Sequence, residues 1–276
     1  MHATRQLLPL PLVSKPSFLA ATLVAIELLS CLSVWAQHDD VVPYSNGTQV
    51  LTGGHDDLAN TTTQIENVFG YDFGETTENF ASDPGFNNGS AFTTGSFPSS
   101  GALPAGTLTF HVQSGLQYWN GAAGGTFVPA PTGLQIKLTK AANQILVSGS
   151  SAAESGGLPI GATASGRIHT HLESSIWGGL TAAYDPLTLG GPDGVYAFGV
   201  TLSLPGSGLS PSDPIYFVFN QNLPESSHDS AIDYFTNGQT GALVPEPSTV
   251  ILAILGLAVI GLTGLGRNGM ARPYGQ

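Results

Sequence analysis

The sequence predicts an all-β fold, an antiparallel β-sandwich set between two hydrophobic chain ends. Three observations carry this. Several short segments alternate apolar and polar residues with period two, glycine and proline cluster between them, and no helical periodicity of any length runs outside the terminal segments. Repeated short strands with turn chemistry between them are how a sandwich reads in sequence. The 276 residues have room for one large or two small domains, at roughly 150 residues per domain. Because both ends are hydrophobic, a single folded domain over 37–241 is expected.

The strands follow in order. In 107–113, Leu108, Phe110 and Val112 share one face, and in 194–204 Tyr196, Phe198, Val200, Leu202 and Leu204 do the same. Segments 134–138, 144–148, 167–177 and 214–219 are further strands. Glycine and proline punctuate the gaps at 101–106, 121–131, 156–166 and 205–214. Residues 72–104 are the least regular stretch and are read as a long functional loop or an irregular sandwich edge.

Composition excludes some functions. Once Glu27 and Glu246 in the hydrophobic ends are set aside, 17 acidic residues face only Lys137, Lys140 and Arg167 between residues 37 and 244. Such a surface repels nucleic acid, whose binding needs basic side chains to displace counterions. It suits solubility and weak accumulation of cations. The only cysteine, Cys31, falls in the N-terminal hydrophobic stretch. The domain therefore has no disulfide, thiolate metal site or thiol nucleophile.

The N-terminus, 1–36, reads as a signal peptide. Arg5 and Lys15 give a positive start, 18–32 is apolar apart from Glu27, and Val34-Trp35-Ala36 ends in a small residue before a cut at Gln37. Leu28-Leu29-Ser30-Cys31 approximates a lipoprotein processing site, but the hydrophobic Leu32, Val34 and Trp35 follow where such a chain turns polar. At the other end, Pro245-Glu246-Pro247 leads into an apolar run over 249–266, followed by Arg267 and Arg272. As a transmembrane helix these 18 residues span about 27 Å, just enough for a bilayer core. An ordinary C-terminal membrane anchor is the minor alternative.

The order Pro-Glu-Pro, helix and basic tail resembles the PEP-CTERM sorting signal of Gram-negative bacteria that make extracellular polysaccharide. The resemblance covers 242–276 and departs from the family only in that the two arginines are separated. It implies an exosortase-type processing enzyme as partner, and a protein anchored at the membrane before it is retained at the cell envelope or surface or released.

The chemistry lies in the histidines. His169-Thr170-His171 sits in a strand, so both imidazoles, and Glu173, leave one face while Ile168 and Leu172 point to the core. Two histidines so placed converge on one cation, each nitrogen about 2.0–2.1 Å from zinc. Neutral imidazole suits zinc, copper, iron or nickel better than calcium or magnesium. Its affinity for metal falls on acidification below about 6.5, the ordinary histidine value. Two nitrogens do not complete a tetrahedral site. His38, His55 and His111 are the candidate partners, with Asp40 and Asp57 as oxygen ligands. His38-Asp39-Asp40 and His55-Asp56-Asp57 flank a hydrophobic segment around Val50 and Leu51, bracketed by Asn46-Gly47 and Gly53-Gly54. If this hairpin packs near 169–171, four or five histidines meet. His228-Asp229 is read as a solvated surface pair with no part in the site.

His38-x-Asp40, the Tyr44…Asn46-Gly47 turn and His169-x-His171 resemble surface-anchored bacterial domains associated with zinc or manganese uptake. The 194–196 and 215–219 strands fit the same layout. The chain as a whole is similar to a PEP-CTERM family under the zinc-uptake repressor. That resemblance implies zinc as cofactor, a metal reservoir or delivery role, and a metal-uptake system as partner. A non-metal alternative is a structural or adhesive matrix protein bound to exopolysaccharide, with Tyr118, Trp119 and Trp177 stacking on sugars. No enzyme is expected: the chain has no Gly-x-Ser-x-Gly elbow, His-Glu-x-x-His helix or phosphate-cradling loop. A metallohydrolase using Glu173 as base beside His169 and His171 is the minor alternative.

Overall fold

The computed structural model describes residues 39–56, 60–89, 102–122, 125–150, 157–162, 166–181 and 183–237. The expected signal peptide, the sorting segment with the helix expected over 249–266, His38, Asp57 and residues 90–101 of the irregular stretch lie outside them.

The alternating segments form strands, as their pattern requires, and the strands form three sheets. β1 (Asp39–Ser45) and β2 (Val50–Asp56) make a hairpin in register Asp40↔His55. Its turn is set by Asn46, whose Oδ1 accepts from the amides of Thr48 at 3.0 Å and Gln49 at 2.9 Å. Gly47 supplies the positive φ of 93° that the turn needs. β3 (Thr61–Thr63) extends the hairpin on one side. On the other, β6 (Gly85–Asn87) and β13 (His169–His171) complete a five-stranded sheet ordered β13-β6-β1-β2-β3.

A four-stranded sheet runs β11 (Asn143–Ser148), β10 (Gln135–Lys140), β14 (Glu173–Trp177) and β5 (Phe80–Ala81). The largest sheet runs β12 (Leu158–Ala162), β7 (Thr107–Val112), β15 (Gly194–Ser203), β16 (Ile215–Gln221) and β4 (Val68–Phe73). β8 (Gln117–Trp119) pairs with β15, and β9 (Val128–Pro129) with β8.

The all-β class fits this arrangement, but four details differ from the reading of the sequence. Three sheets stand where two were expected, and β4–β16 and β1–β6 are parallel pairs in an otherwise antiparallel set. The single strand expected over 167–177 is split at Leu172: β13 joins one sheet and β14 another. The glycine-rich gap at 156–166 contains β12, whose register shifts between Pro159 and Gly161; that irregularity lets a proline and a glycine sit in a strand.

Fourth, α1 (Glu225–Thr236) is a helix where no helical period was read. Its inward stripe is narrow, His228, Ala231 and Phe235, spaced three and four apart. A histidine at one core-facing position hid the pattern.

The core explains the sheet order. β15 is buried on both faces: Tyr196, Phe198, Val200 and Leu202 join the main cluster, and Val195 and Ala197 face a second one with Phe127, Ala231 and Phe235. The main cluster draws on all three sheets, with Val41 and Phe86 from the first, Ile136 and Ile176 from the second, and Phe110 and Phe217 from the third. β4 alternates the same way, so Phe69, Tyr71 and Phe73 enter the main core while Val68, Gly70 and Asp72 look toward α1.

Candidate metal centre

The site is built on β13. Ile168 and Leu172 on either side of it are buried, and His169 and His171 are exposed, as strand alternation requires. Their rings lean together, with Nε2 of one 3.4 Å from Nε2 of the other. Two nitrogens each about 2.0–2.1 Å from a zinc ion, at a tetrahedral angle, lie about 3.3–3.4 Å apart. The pair is thus spaced as two ligands of one ion.

A third group reaches the pair from β1. β6 separates β1 from β13, pairing parallel with β1 at Val41↔Phe86 and antiparallel with β13 at His171↔Gly85. Residue 85 has no side chain, and the Asp40 carboxylate crosses the strand through that gap. A Cβ at position 85 would collide with Oδ1 of Asp40 and stand 3.0 Å from Cε1 of His171. One carboxylate oxygen of Asp40 and one nitrogen from each of His169 and His171 lie within 4.8 Å of one another. Asp40 is only 4% exposed, so its charge sits at the inner wall of a site whose outer wall is open.

Behind His171 stands Asp83, its Oδ1 3.4 Å from Nδ1 of the ring. The Asp83 main-chain oxygen accepts from the Ser174 hydroxyl. A carboxylate at Nδ1 favours the tautomer with the proton on that side, which leaves the Nε2 lone pair facing His169. Lys140 Nζ donates to the main-chain oxygen of His171 at 2.9 Å, fixing the end of the strand from β10. Neither Asp83 nor Gly85 was singled out from the sequence. Both lie within three residues of each other on the segment entering β6, and nothing local ties that segment to β13.

The other expected ligands are placed as follows. His55 stands opposite Asp40 across the hairpin but is buried, with Nδ1 3.0 Å from the Thr62 hydroxyl; its ring serves the β2–β3 pair instead of the group. His111 belongs to the largest sheet, opposite Thr201, with Nε2 2.7 Å from the Ser203 hydroxyl, and does not join the group. Glu173, exposed like the two histidines, lies beyond the sheet change at Leu172, opposite Thr139 on β10, and is not in the group formed by Asp40, His169 and His171. His228 is not solvated: it is 2% exposed, packed beneath α1.

The aromatic residues considered for sugar stacking are half-buried and internally engaged. The Tyr118 hydroxyl donates to the Asp193 main-chain oxygen at 3.2 Å, and the Trp119 indole donates to Ala122 at 3.1 Å. The Trp177 indole donates to the Ser175 hydroxyl at 2.9 Å, and Lys137 Nζ stands 5.1 Å from its ring centroid. Among the described residues, no helix is long and apolar enough to cross a membrane.

Comparison with known proteins adds one finding. Residues 243–268 match the PEP-CTERM protein-sorting motif. No curated protein and no solved structure matches the chain significantly.

Proposed function

For a chain that carries a PEP-CTERM sorting motif, and is therefore exported, processed by exosortase and associated with the envelope, we propose zinc binding at the envelope surface. Asp40, His169 and His171 are the protein ligands, and the role is a metal reservoir or delivery factor. The observation that carries this reading is the 3.4 Å separation of the two Nε2 atoms beside a buried carboxylate. Two imidazoles and one carboxylate are a common zinc donor set, and three protein ligands leave a fourth position open. The exposure of both histidines suits an ion that must be handed on. The acidic surface draws cations toward the site. The exopolysaccharide-binding alternative has less to rest on, since Lys137 stands over the ring of Trp177 and the other two aromatic groups bond internally.

Calorimetric titration of the purified full-length protein with zinc chloride tests the reading. The double change His169→Ala and His171→Ala is expected to remove one equivalent of zinc and spare the fold, because both side chains point away from the core. Binding at this site is expected to weaken on acidification, since a protonated imidazole does not ligate. A double variant that binds zinc with unchanged stoichiometry and affinity refutes the site.

A further inference from the structure

The geometry points to a second cation site, in which Asp72, Glu225 and His228 hold a divalent transition-metal ion and tie α1 to β4. It shares no residue with the exposed site on β13.

The argument begins at His228. Its ring lies over Gly70 of β4, where a Cβ would stand 3.1 Å from both Cε1 and Nε2; the absent side chain makes room for the imidazole. Nε2 is 3.1 Å from the main-chain oxygen of Val218. A carbonyl only accepts, so the proton of a neutral ring is on Nε2. The lone pair is then on Nδ1, which is buried and makes no hydrogen bond. Facing it are Oδ1 of Asp72 and Oε1 of Glu225, each 3.7 Å away. That is too long for a hydrogen bond. Oδ2 of Asp72 is buried and makes no hydrogen bond either.

Three acceptors thus face one another, with the His228 side chain 2% exposed, Asp72 14% and Glu225 32%. Nδ1 of His228 and Oδ2 of Asp72 are buried polar atoms without a hydrogen bond, which is costly, and a cation shared with Glu225 would make ligands of the imidazole and both carboxylates. One oxygen from each carboxylate and Nδ1 already lie within 4.8 Å of one another. The remaining parts of a metal site are present. A histidine ligand whose other nitrogen donates to a carbonyl is the usual outer-shell arrangement, as is a ligating carboxylate that accepts from a neighbour. Here Asn220 Nδ2 donates to Oδ1 of Asp72 at 2.8 Å. A cavity of about 190 Å³ leads to His228 and Glu225, with Asp39, Glu66 and Asp229 on its walls. The aspartates among them concentrate cations at the entrance. One imidazole nitrogen with two carboxylates favours zinc or manganese over calcium.

The competing account is an imidazolium, with a second proton on Nδ1 between the two carboxylates and no metal. Calorimetric titration of the full-length protein with zinc chloride separates the two. In the His169→Ala/His171→Ala background, one equivalent of zinc is expected to remain, and adding Glu225→Ala is expected to weaken it at least tenfold. Asp72→Asn, which keeps the volume and can still accept from Asn220, is expected to do the same. Circular dichroism of each variant in chelator checks that the helix and sheets persist; His228→Ala is avoided because it empties a buried position. Zinc binding that vanishes in the double-histidine background, or that is unchanged by both Glu225→Ala and Asp72→Asn in folded protein, overturns this site. Loss on Glu225→Ala alone, with no effect of the double-histidine change, removes the exposed site and keeps this one.

Discussion

Asp40 and His171 meet across a strand that belongs to neither of them, because Gly85 leaves the space above β6 empty. Three strands from distant parts of the chain are needed for that contact, and the narrowest point is a missing methyl group.

Gly85→Ala is therefore expected to separate zinc affinity from folding. Only the side chains of Asp40 and His171, and no backbone atom, crowd the new methyl, and Gly85 is not among the residues with positive φ. The backbone accepts alanine, and displacing the buried Asp40 carboxylate should cost about 1–3 kcal/mol, which leaves the protein folded. The Asp40 carboxylate is pushed off the histidine pair, and zinc affinity at this site should fall at least tenfold. Calorimetry and thermal melts on the same preparation check both halves. Unchanged affinity would mean that Asp40 is not a ligand.

The histidine pair was legible because an i, i+2 spacing on a strand fixes a common face whatever the rest of the fold does. Asp40 was legible only as one acidic group among several, since the β13-β6-β1 order is non-local. His111 and His55 looked as eligible as Asp40 for the same reason: sheet membership decides between them, and no local pattern reveals it. Strands β7, β15 and β16 could be read because their apolar faces alternate without interruption. β4 carried a readable alternation in Phe69, Tyr71 and Phe73, but its other face holds a glycine and an aspartate that suggest a turn until α1 is known to cover them. The acidic cluster at His228 was hidden with that helix. Its ligands are joined only when 225–228 folds onto residues 70–72.

Phe217 is expected to be the least replaceable side chain of the core. Its ring meets Phe69 at 6.1 Å, Tyr71 at 5.5 Å, Phe86 at 6.4 Å and Phe198 at 6.0 Å in edge-on contacts, and stacks on Phe110 at 5.6 Å. Phe86 comes from the five-stranded sheet, so this ring also links two sheets. Phe217→Ala should cost about 3–5 kcal/mol, read from urea denaturation with zinc absent. A loss below about 1.5 kcal/mol, the scale of a mild volume-conserving swap, would contradict the packing described.

Sorting depends on the C-terminal segment. Replacing Pro245, Glu246 and Pro247 by alanine is expected to block exosortase processing and shift the protein toward the cell membrane fraction, leaving zinc binding intact. Fractionation of cells and medium, with immunoblotting for the size of the chain, measures this. An unchanged distribution and unchanged size would show that the motif is not used.

Glu66 gives the domain a pH dependence of definite sign. Burial, then the charge and hydrogen bond of Asp39, then the charge of Asp56 raise its carboxyl to about 7 from 4.5. In the unfolded chain the group loses its proton near the ordinary carboxylate value; in the folded chain it keeps it to about 7. Between those points the folded state holds the extra proton, so stability falls as pH rises across this window and levels off above it. Glu66→Gln keeps the shape, can still donate to Asp39 and cannot ionise. In chelator, to keep cations out of the adjoining cavity, wild type and variant should melt together near pH 4.5, and the variant should melt higher at pH 7.5 and above. Parallel melting curves across the whole range would mean that Glu66 titrates in the folded protein as it does in the unfolded chain.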